Sequence, residues 1–325
     1  HCCRNVTPQH EWKCRMIDNE LAQWLPVSLI ETPEKNLFRW MRFNSQPFYE
    51  PFFEESFWRN KAVFEENRKY FRSVSAPEMV VKMAGICKEP DLLVFHISRC
   101  GSTLLSQLLG LYEHITTLAE VPLFDEILAS PDNETDRKQL LRSCANLLRR
   151  NSRNLVVKCD SWHFFHYEFL RNCFPETPVV FLYRNPFEVW QSHQKEPGIH
   201  TVPGLLKPAQ LPGFKHAGDG GMQKDLYFGK IMEAYFQIML QRASDKNTLL
   251  LNYSEGALPL ATQAAFHAGI KPDENHLRQM EERARFNAKK PHEVFSEKQS
   301  NEPVPEFLTG AVGLFETLEK ERINN

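Results

Sequence analysis

The chain has 325 residues and a formal net charge of −2 at pH 7, with 42% hydrophobic and 25% charged residues. This composition excludes an intrinsically disordered chain, and the near-neutral charge gives no support to general nucleic-acid binding. The length allows one large α/β domain with appendages, or two domains, because single cores stop growing near roughly 250–300 residues. No apolar run approaches the roughly 20 residues that span a bilayer, so we expect no membrane segment within the chain.

The eight cysteines form no C-x-x-C pair and show no spacing typical of a zinc site. We therefore expect buried, reduced thiols, a cytoplasmic protein and no bound metal. Because the chain begins with His1 rather than methionine, a leader or anchor upstream of it is left open.

Residues 1–85 are crowded with aromatic side chains and carry no phosphate or metal signature. We expect a mostly helical region that either packs as a cap on the main domain or lines an acceptor pocket. Residues 86–325 would form the main domain. The aromatic residues that mark the first region are Trp40, Phe43, Phe48, Tyr49, Phe52, Phe53, Phe57 and Trp58.

From Leu92 onward, short apolar runs alternate with helix-like segments. Continuous apolar runs are typical of strands covered on both faces, and their alternation with helices indicates parallel pairing. We therefore predict an α/β fold, a three-layer sandwich around a mostly parallel central sheet. The predicted strands are 92–97, 155–157, 179–183 and 249–251. The predicted helices are 103–111, 134–150, 162–173, 187–194, 224–242, 260–268 and 275–285.

The first of these strands ends at a small-residue turn, Ser98-Arg-Cys-Gly-Ser-Thr103, which is followed by a helix-like run. Backbone N–H groups at such a helix start point at one spot, and Gly101 allows an anion to approach closely. Ser102 and Thr103 add hydroxyl donors. The P-loop motif G-x-x-x-x-G-K-[ST] is not met, because no lysine precedes Ser102. Arg99 carries the only charge in the loop, which therefore suits a phosphate-like group without providing for Mg²⁺.

A second anion site is predicted at the end of strand 179–183. Arg184 follows this strand directly, and Pro186 is suited to the first turn of the next helix. Ser192 lies eight residues after Arg184, about two turns into that helix. A forked guanidinium and a nearby hydroxyl can bind one phosphate group together.

Two phosphate sites in one sheet, without a Walker lysine, indicate a nucleotide with phosphate groups at its 5′ and 3′ positions. In these motifs the sequence resembles the sulfotransferases that use 3′-phosphoadenosine 5′-phosphosulfate (PAPS). The loop from Ser98 to Thr103 is similar to the family's 5′-phosphosulfate loop, and Arg184 with Ser192 is similar to its 3′-phosphate motif. The resemblance covers roughly residues 90–255. It implies that Arg99, Cys100, Gly101, Ser102 and Thr103 hold the 5′ end of the donor.

The resemblance also implies catalytic roles for residues outside the two motifs. Lys158 ends the strand 155–157 and corresponds in place to the family lysine that contacts the transferring sulfonate and the leaving phosphate. Glu120 lies 21 residues after Arg99, the interval at which tyrosylprotein sulfotransferases carry their catalytic glutamate. Lys158 and Arg99 would then stabilise developing charge, and Glu120 would take the proton of the acceptor hydroxyl.

Other residues compete with Glu120 for the role of general base. Cytosolic sulfotransferases carry a histidine two residues after the strand-end lysine, where this chain has Asp160. His163 and His96 are further candidates, although the position of His96 at a strand end favours a hydrogen-bonded core histidine. We predict Glu120 as the base and keep Asp160 as the alternative.

The chain departs from the cytosolic pattern in its loops. Cys100 replaces a serine or glycine, Arg99 stands where cytosolic members carry lysine, and the C-terminal Arg-Lys-Gly-x-x-Gly loop is absent. We expect Lys289 and Lys290 to replace that loop at the nucleotide. The resemblance is thus to the divergent bacterial and tyrosylprotein-type branches. The long segment 196–222, rich in Gly and Pro, is predicted to be a lid over the acceptor or a surface excursion.

Taken together, these residues predict a PAPS-dependent sulfotransferase that works by in-line displacement, needs no metal and releases adenosine 3′,5′-bisphosphate. The expected acceptor is a hydroxyl of a small molecule, sugar or lipid, and less so a peptide tyrosine. The oligomeric state is not indicated. Two alternatives remain open. One is an ATP-dependent P-loop kinase, which needs Mg²⁺ and the missing lysine, and the other is a nucleotide-binding module without turnover.

Overall fold

The computed structural model describes residues 21–46, 48, 50–68, 73–112, 114–286, 288 and 302–324. Its N-terminal part contains an antiparallel sheet in the order β1-β2-β3, with strands β1 (Trp24–Ile30), β2 (Leu37–Arg42) and β3 (Val74–Ser75). The helices beside this sheet are α1 (Phe53–Val63), α2 (Glu65–Arg68) and α3 (Pro77–Ala84).

The N-terminal region contains the expected helices, and three short strands that the sequence analysis did not predict lie beside them. Pro26 hides β1 in the sequence, since proline is unfavourable in a central strand. It is tolerated here because β1 is an edge strand, and the pairing with β2 shifts between Pro26 and Ser28.

The N-terminal region shares a core with the main domain. The rings of Phe43, Phe48 and Phe53 form one cluster, with centroids 5.2 to 6.1 Å apart. The backbone N–H of Leu29 in β1 donates to Oε2 of Glu126, 2.5 Å away, in the main domain. The Leu29–Glu126 hydrogen bond and one continuous core of buried apolar residues join this region to the main domain.

The main domain is built on a five-stranded parallel sheet. Its strands are β4 (Leu92–His96), β5 (Ile115–Ala119), β6 (Asn154–Lys158), β7 (Val179–Tyr183) and β8 (Thr248–Asn252), in the order β5-β6-β4-β7-β8. Every residue of β4, β5 and β7 is buried, as expected for strands covered on both faces. The four predicted strands are present, and β5 was missed because two threonines interrupt its apolar run.

Helices cover both faces of this sheet, which confirms the predicted three-layer α/β fold. On one side α4 packs on β5 and β6, together with α10 and α11. On the other side the rings of Phe95, Phe181 and Tyr183 contact aromatic residues of α7, α9, α12 and the 3-10 helix Ser161–His166. The helices are α4 (Ser102–Leu109), α5 (Pro122–Ala129), α6 (Glu134–Arg149), α7 (Tyr167–Cys173), α8 (Pro186–Lys195), α9 (Lys224–Arg242), α10 (Ala257–His267), α11 (Glu274–Ala284) and α12 (Thr309–Asn324). Among the described residues, no helix combines the length and apolar character needed to cross a membrane.

The strand order brings the candidate residues to one edge of the sheet. Because β4 lies between β6 and β7, the segments that follow these three strands are neighbours. Ala119 at the end of β5 pairs with Lys158 at the end of β6, so the next residue, Glu120, is carried to the same edge. Sites in parallel sheets lie at such carboxyl ends.

Candidate active site

The loop after β4 forms an uncapped helix start. Ser98, Arg99 and Gly101 adopt positive φ angles of 66°, 50° and 79°, which turn the backbone sharply between β4 and α4. Gly101 is the N-cap of α4, and no side chain caps its first N–H groups. These N–H groups and the positive end of the helix dipole form a site suited to an anion.

Gly101 is required for close packing as well as for backbone conformation. A Cβ atom at this position would lie 2.9 Å from two ring carbons of Tyr253, the residue that follows β8. The guanidinium carbon of Arg184 lies 4.5 Å from the centroid of the same ring. Tyr253 therefore holds the predicted 5′ loop and the predicted 3′ site together.

Cys100 faces the sheet rather than the site. Its thiol is fully buried and donates to the carbonyl of Leu182 at 3.4 Å. Burial raises the pKa of this thiol to about 11, so it stays protonated and unreactive at neutral pH. This placement leaves only the backbone of Cys100 for binding a ligand.

Lys158 and Glu120 form an ion pair directly beside the loop. Nζ of Lys158 lies 2.6 Å from Oε1 of Glu120 and donates to Oγ1 of Thr103 at 3.3 Å. It also lies 5.0 Å from the ring centroid of Phe52. The Lys158 side chain is 1% exposed and that of Glu120 is 24% exposed. The carboxylate thus stands between a buried cation and open space.

Glu120 is held in a strained and strongly charged setting. Its φ of 54° is rare for a residue with a side chain, and its N–H donates to the carbonyl of Lys158 at 2.9 Å. Burial alone would raise its pKa, but the charge of Lys158 and the contact with His96 outweigh burial and hold the pKa well below its ordinary value. Glu120 is therefore ionised at neutral pH.

Asp160 is engaged in local structure. It caps the 3-10 helix Ser161–His166, and its own N–H donates to Nδ1 of His163 at 3.2 Å. Nε2 of His163 lies 3.7 Å from Oδ2 of Asp160 and 3.6 Å from Oδ1 of Asp125. Burial raises the pKa of Asp160 to about 7. Asp160 borders the same cavity as Glu120, but its hydrogen bonds tie it and His163 to the turn after β6.

Arg184 and Ser192 lie across the loop from Lys158. Arg184 is 7% exposed, and it donates to Oε2 of Glu188 at 2.7 Å and to the carbonyl of Arg99 at 3.3 Å. α8 begins at Pro186, as predicted, and presents Ser192 to the cavity. The two predicted phosphate motifs are therefore in contact through the backbone of Arg99.

The side chain of Arg99 turns away toward the end of α8. Its Nη2 atom lies 2.8 Å from Oε2 of Glu196, and the same nitrogen donates to the carbonyl of that residue. Glu196 is 68% exposed. This ion pair could not be predicted from the sequence, because the partners are 97 positions apart.

The loop after β4, Glu120, Asp160, Arg184 and Ser192 line a cavity of about 870 Å³, within the size range of nucleotide and substrate pockets. Phe286 and Ala288 reach its wall, whereas the predicted ligands Lys289 and Lys290 lie outside the described residues. Phe52 from the aromatic region and Ile199 and His200 from the segment 196–222 also line the cavity, as one of the two expectations for each region allows. Sequence reasoning missed other wall residues, although Tyr253 lies only two residues after a predicted strand. The missed wall residues include Trp162, Tyr253 and Leu260.

The segment 196–222 divides into two parts. Residues 196–200 line the cavity, whereas residues 212–216 lie against α9 and border a different pocket. Leu206 and Leu211 are buried and anchor the segment to the core. The predicted lid thus has five residues at the cavity.

Comparison with known proteins gives similarity of structure but not of sequence. No protein-family model and no curated protein matches the chain. Sulfotransferase STF9 from Mycobacterium avium aligns with a TM-score of 0.42 and 12% identity, over 63% of this chain and 69% of that one. The sulfotransferase domain of the Synechococcus PCC 7002 olefin synthase aligns with a TM-score of 0.46 and 14% identity, over 73% of this chain and 97% of that domain. Mouse sulfotransferase SULT7A1, solved in complex with PAP, aligns with a TM-score of 0.38 and 13% identity, over 78% of this chain and 93% of that one.

All three similar structures are named as sulfotransferases, the family that the sequence motifs resemble.

Proposed function

We propose that this protein is a sulfotransferase that moves a sulfonate group from PAPS to an acceptor hydroxyl. The observation that carries the proposal is the position of Lys158, whose ammonium group touches both Glu120 and Thr103. One buried cation thus joins a carboxylate suited to be a base with the start of an uncapped helix suited to hold an anion.

The residues present fit the two ends of the donor. For its 5′ end the chain offers the N–H groups at the start of α4, the hydroxyls of Ser102 and Thr103, and the close approach that Gly101 allows. For its 3′-phosphate it offers Arg184 and Ser192, which border the same cavity. Tyr253 separates these two groups and provides an aromatic surface between them.

In the proposed reaction, the acceptor oxygen forms a bond to sulfur while the bond from sulfur to the bridging phosphate oxygen breaks. Lys158 stabilises the charge that develops on the bridging oxygen, which leaves as part of adenosine 3′,5′-bisphosphate. Glu120 takes the acceptor proton and later passes it to water. As the ammonium group of Lys158 turns toward the donor, Glu120 loses part of its stabilisation, so its pKa rises and it becomes a stronger base.

For the acceptor we propose a hydroxyl on a small molecule, sugar or lipid. The cavity that Glu120 borders is also lined by Phe52, Trp162 and Ile199, which can pack against an apolar body attached to the hydroxyl. We further propose a reducing compartment such as the cytoplasm, since the five cysteines within the described residues carry free thiols.

The test is a binding comparison by thermal shift and titration calorimetry, with adenosine 3′,5′-bisphosphate against ATP plus Mg²⁺. At 100 times its Kd, a ligand stabilises the folded state by about 2.7 kcal/mol. We expect stabilisation by the bisphosphate, and loss of it in Arg184→Ala but not in Lys246→Ala, whose side chain is 81% exposed. Preferential stabilisation by ATP plus Mg²⁺ would contradict the proposal and favour a kinase.

A further inference from the structure

His96, the last residue of β4, is buried between the phosphate loop and the ion pair of Glu120 and Lys158. The ring is 3% exposed. Its Nδ1 atom accepts the backbone N–H of Ser98 at 3.1 Å and lies 3.5 Å from Oγ of Ser161. Its Nε2 atom lies 3.3 Å from Oε1 of Glu120. One imidazole therefore connects the loop, the base and the turn after β6.

The contact with Ser98 determines where the ring carries its proton. A backbone N–H can only donate, so Nδ1 must be the unprotonated nitrogen and the proton of the neutral ring lies on Nε2. Burial lowers the pKa of His96, and the nearby ammonium group of Lys158 lowers it further, although Glu120 opposes both effects. The ring is therefore neutral with its proton on Nε2, which lies 3.3 Å from Oε1 of Glu120 but makes no hydrogen bond in this structure.

Both neighbours of Glu120 approach the same carboxylate oxygen. Lys158 and His96 lie at Oε1, at 2.6 and 3.3 Å. The Glu120 side chain is 24% exposed and borders the cavity. Two buried groups thus approach one end of the carboxylate, while the side chain still reaches the space where an acceptor would lie.

We propose that His96 is a positioning residue for Glu120. Its Nε2–H is buried without a hydrogen-bond partner, and it donates to Oε1 when Lys158 turns to the donor, so that Glu120 keeps its direction toward the acceptor. This inference rests on the proposed function for its catalytic consequence, but the proton position on His96 holds independently. The other groups that face this site are Asp160, which follows β6, and His200 from the segment 196–222.

Two substitutions separate this role from a structural one. In His96→Gln the amide nitrogen takes the place of Nε2 and still donates to Glu120, but the acceptor for Ser98 is lost. In His96→Asn the amide oxygen takes the place of Nδ1 and still accepts from Ser98, but the donor to Glu120 is lost. The pair therefore removes one hydrogen bond at a time.

For sulfonate transfer we expect His96→Asn to lower kcat about tenfold or more, as loss of a hydrogen bond to a charged group does, with little change in KM for PAPS. The pKa of Glu120 should rise, so the acid limb of the pH profile should move to higher pH. His96→Gln should keep more activity and an unshifted acid limb. In a Glu120→Gln background, His96→Asn should have no further effect.

Three results would overturn the inference. They are an equal loss of kcat in both variants, a larger loss of kcat in His96→Gln, and an undiminished effect of His96→Asn in the Glu120→Gln background. A measurement on the unmodified protein covers variants that fail to fold. Nitrogen-15 spectra of the histidine rings should show His96 neutral with its proton on Nε2, and a proton on Nδ1 would overturn the inference. If the proton lies on Nε2 but adenosine 3′,5′-bisphosphate does not bind, the proposed function is wrong rather than the position of this proton.

Discussion

Lys158 and Glu120 approach to 2.6 Å because their strands end in register. Ala119 of β5 pairs with Lys158 of β6, and the positive φ of Glu120 turns its side chain back over that pair. The ion pair is buried on the lysine side and open on the glutamate side. This asymmetry fits a cation that stays in the protein and a base that meets a substrate.

The ion pair should be strongly coupled in stability. Lys158→Met leaves a carboxylate partly buried without its cation, a change that costs about 3–5 kcal/mol for fully buried pairs. We expect the double variant Lys158→Met/Glu120→Gln to lose less stability than the two single variants lose together. The difference in the free energy of unfolding should be about 1 kcal/mol or more. Urea unfolding of the four proteins measures this coupling.

The matched control is the pair of Lys246 and Glu176, whose side chains are 81% and 77% exposed and whose charged atoms lie 3.8 Å apart. Its coupling should stay below about 0.5 kcal/mol. Additive effects at Lys158 and Glu120 would show that the buried contact is not maintained in solution.

Replacement of Gly101 by alanine should disturb both backbone and packing. The φ of 79° disfavours any side chain, and the new Cβ atom meets the Tyr253 ring at 2.9 Å. We expect weaker binding of adenosine 3′,5′-bisphosphate, by about tenfold, because the loop must move away from the ring.

Gly213→Ala is the control, because its φ of 78° is close to that of Gly101 and nothing lies within 4 Å of the added Cβ. It should destabilise the fold by about 1 kcal/mol and leave nucleotide binding unchanged. Equal nucleotide affinity in the two variants would argue against a ligand at the loop.

Arg184 should act on one phosphate group of the nucleotide. Arg184→Lys keeps the positive charge but loses the paired N–H donors of the guanidinium group, so the affinity for adenosine 3′,5′-bisphosphate should fall about tenfold. The affinity for adenosine 5′-monophosphate, which lacks the 3′-phosphate, should change much less. Calorimetry with both nucleotides measures the difference, and Arg278→Lys, at a side chain that is 73% exposed, should affect neither. An equal loss for both nucleotides would remove Arg184 from the 3′ site.

Glu126 should make stability depend on pH. Burial raises the pKa of this carboxyl to about 7, with a further increase from Asp125, although the Leu29 N–H opposes the shift. Between about pH 4.5 and 7 the folded state therefore binds more protons than the unfolded state, and stability falls as pH rises through this window.

Glu126→Gln keeps an oxygen that accepts from the Leu29 N–H, but its amide cannot ionise. The variant should therefore not show the fall in stability with rising pH, which is on the order of 2 kcal/mol in the unmodified protein. Urea unfolding at pH 5 and pH 8 measures the effect. Parallel pH dependence in the variant and the unmodified protein would show that Glu126 ionises freely in the folded state.

Most of the candidate site residues could be chosen from the sequence because strand ends can be recognised in it. Continuous apolar runs end at Ser98, Lys158 and Arg184, and parallel pairing places their ends at one edge. Contacts between distant segments were not readable, as the ion pair of Arg99 with Glu196 illustrates. The small N-terminal sheet was missed because its aromatic residues and Pro26 do not follow a clean strand pattern.

The role of His96 illustrates the same limit. Its place at the end of β4 predicted a hydrogen-bonded core histidine, and its partners Ser98 and Ser161 agree with that prediction. Its approach to Glu120 depends on the backbone turn after β5, which the sequence does not reveal because positive φ at a glutamate has no local signal.

The most direct test of the account is transfer from PAPS, followed by release of adenosine 3′,5′-bisphosphate with a panel of phenols, sterols, fatty alcohols and sugars. We expect release with at least one acceptor class without added metal. Glu120→Gln should lower the rate about 10²- to 10⁴-fold, as loss of a general base does, and Asp160→Asn should lower it much less. An unchanged rate in Glu120→Gln, or a rate that falls only in Asp160→Asn, would contradict the central claim that Glu120 is the base of a sulfonate transfer.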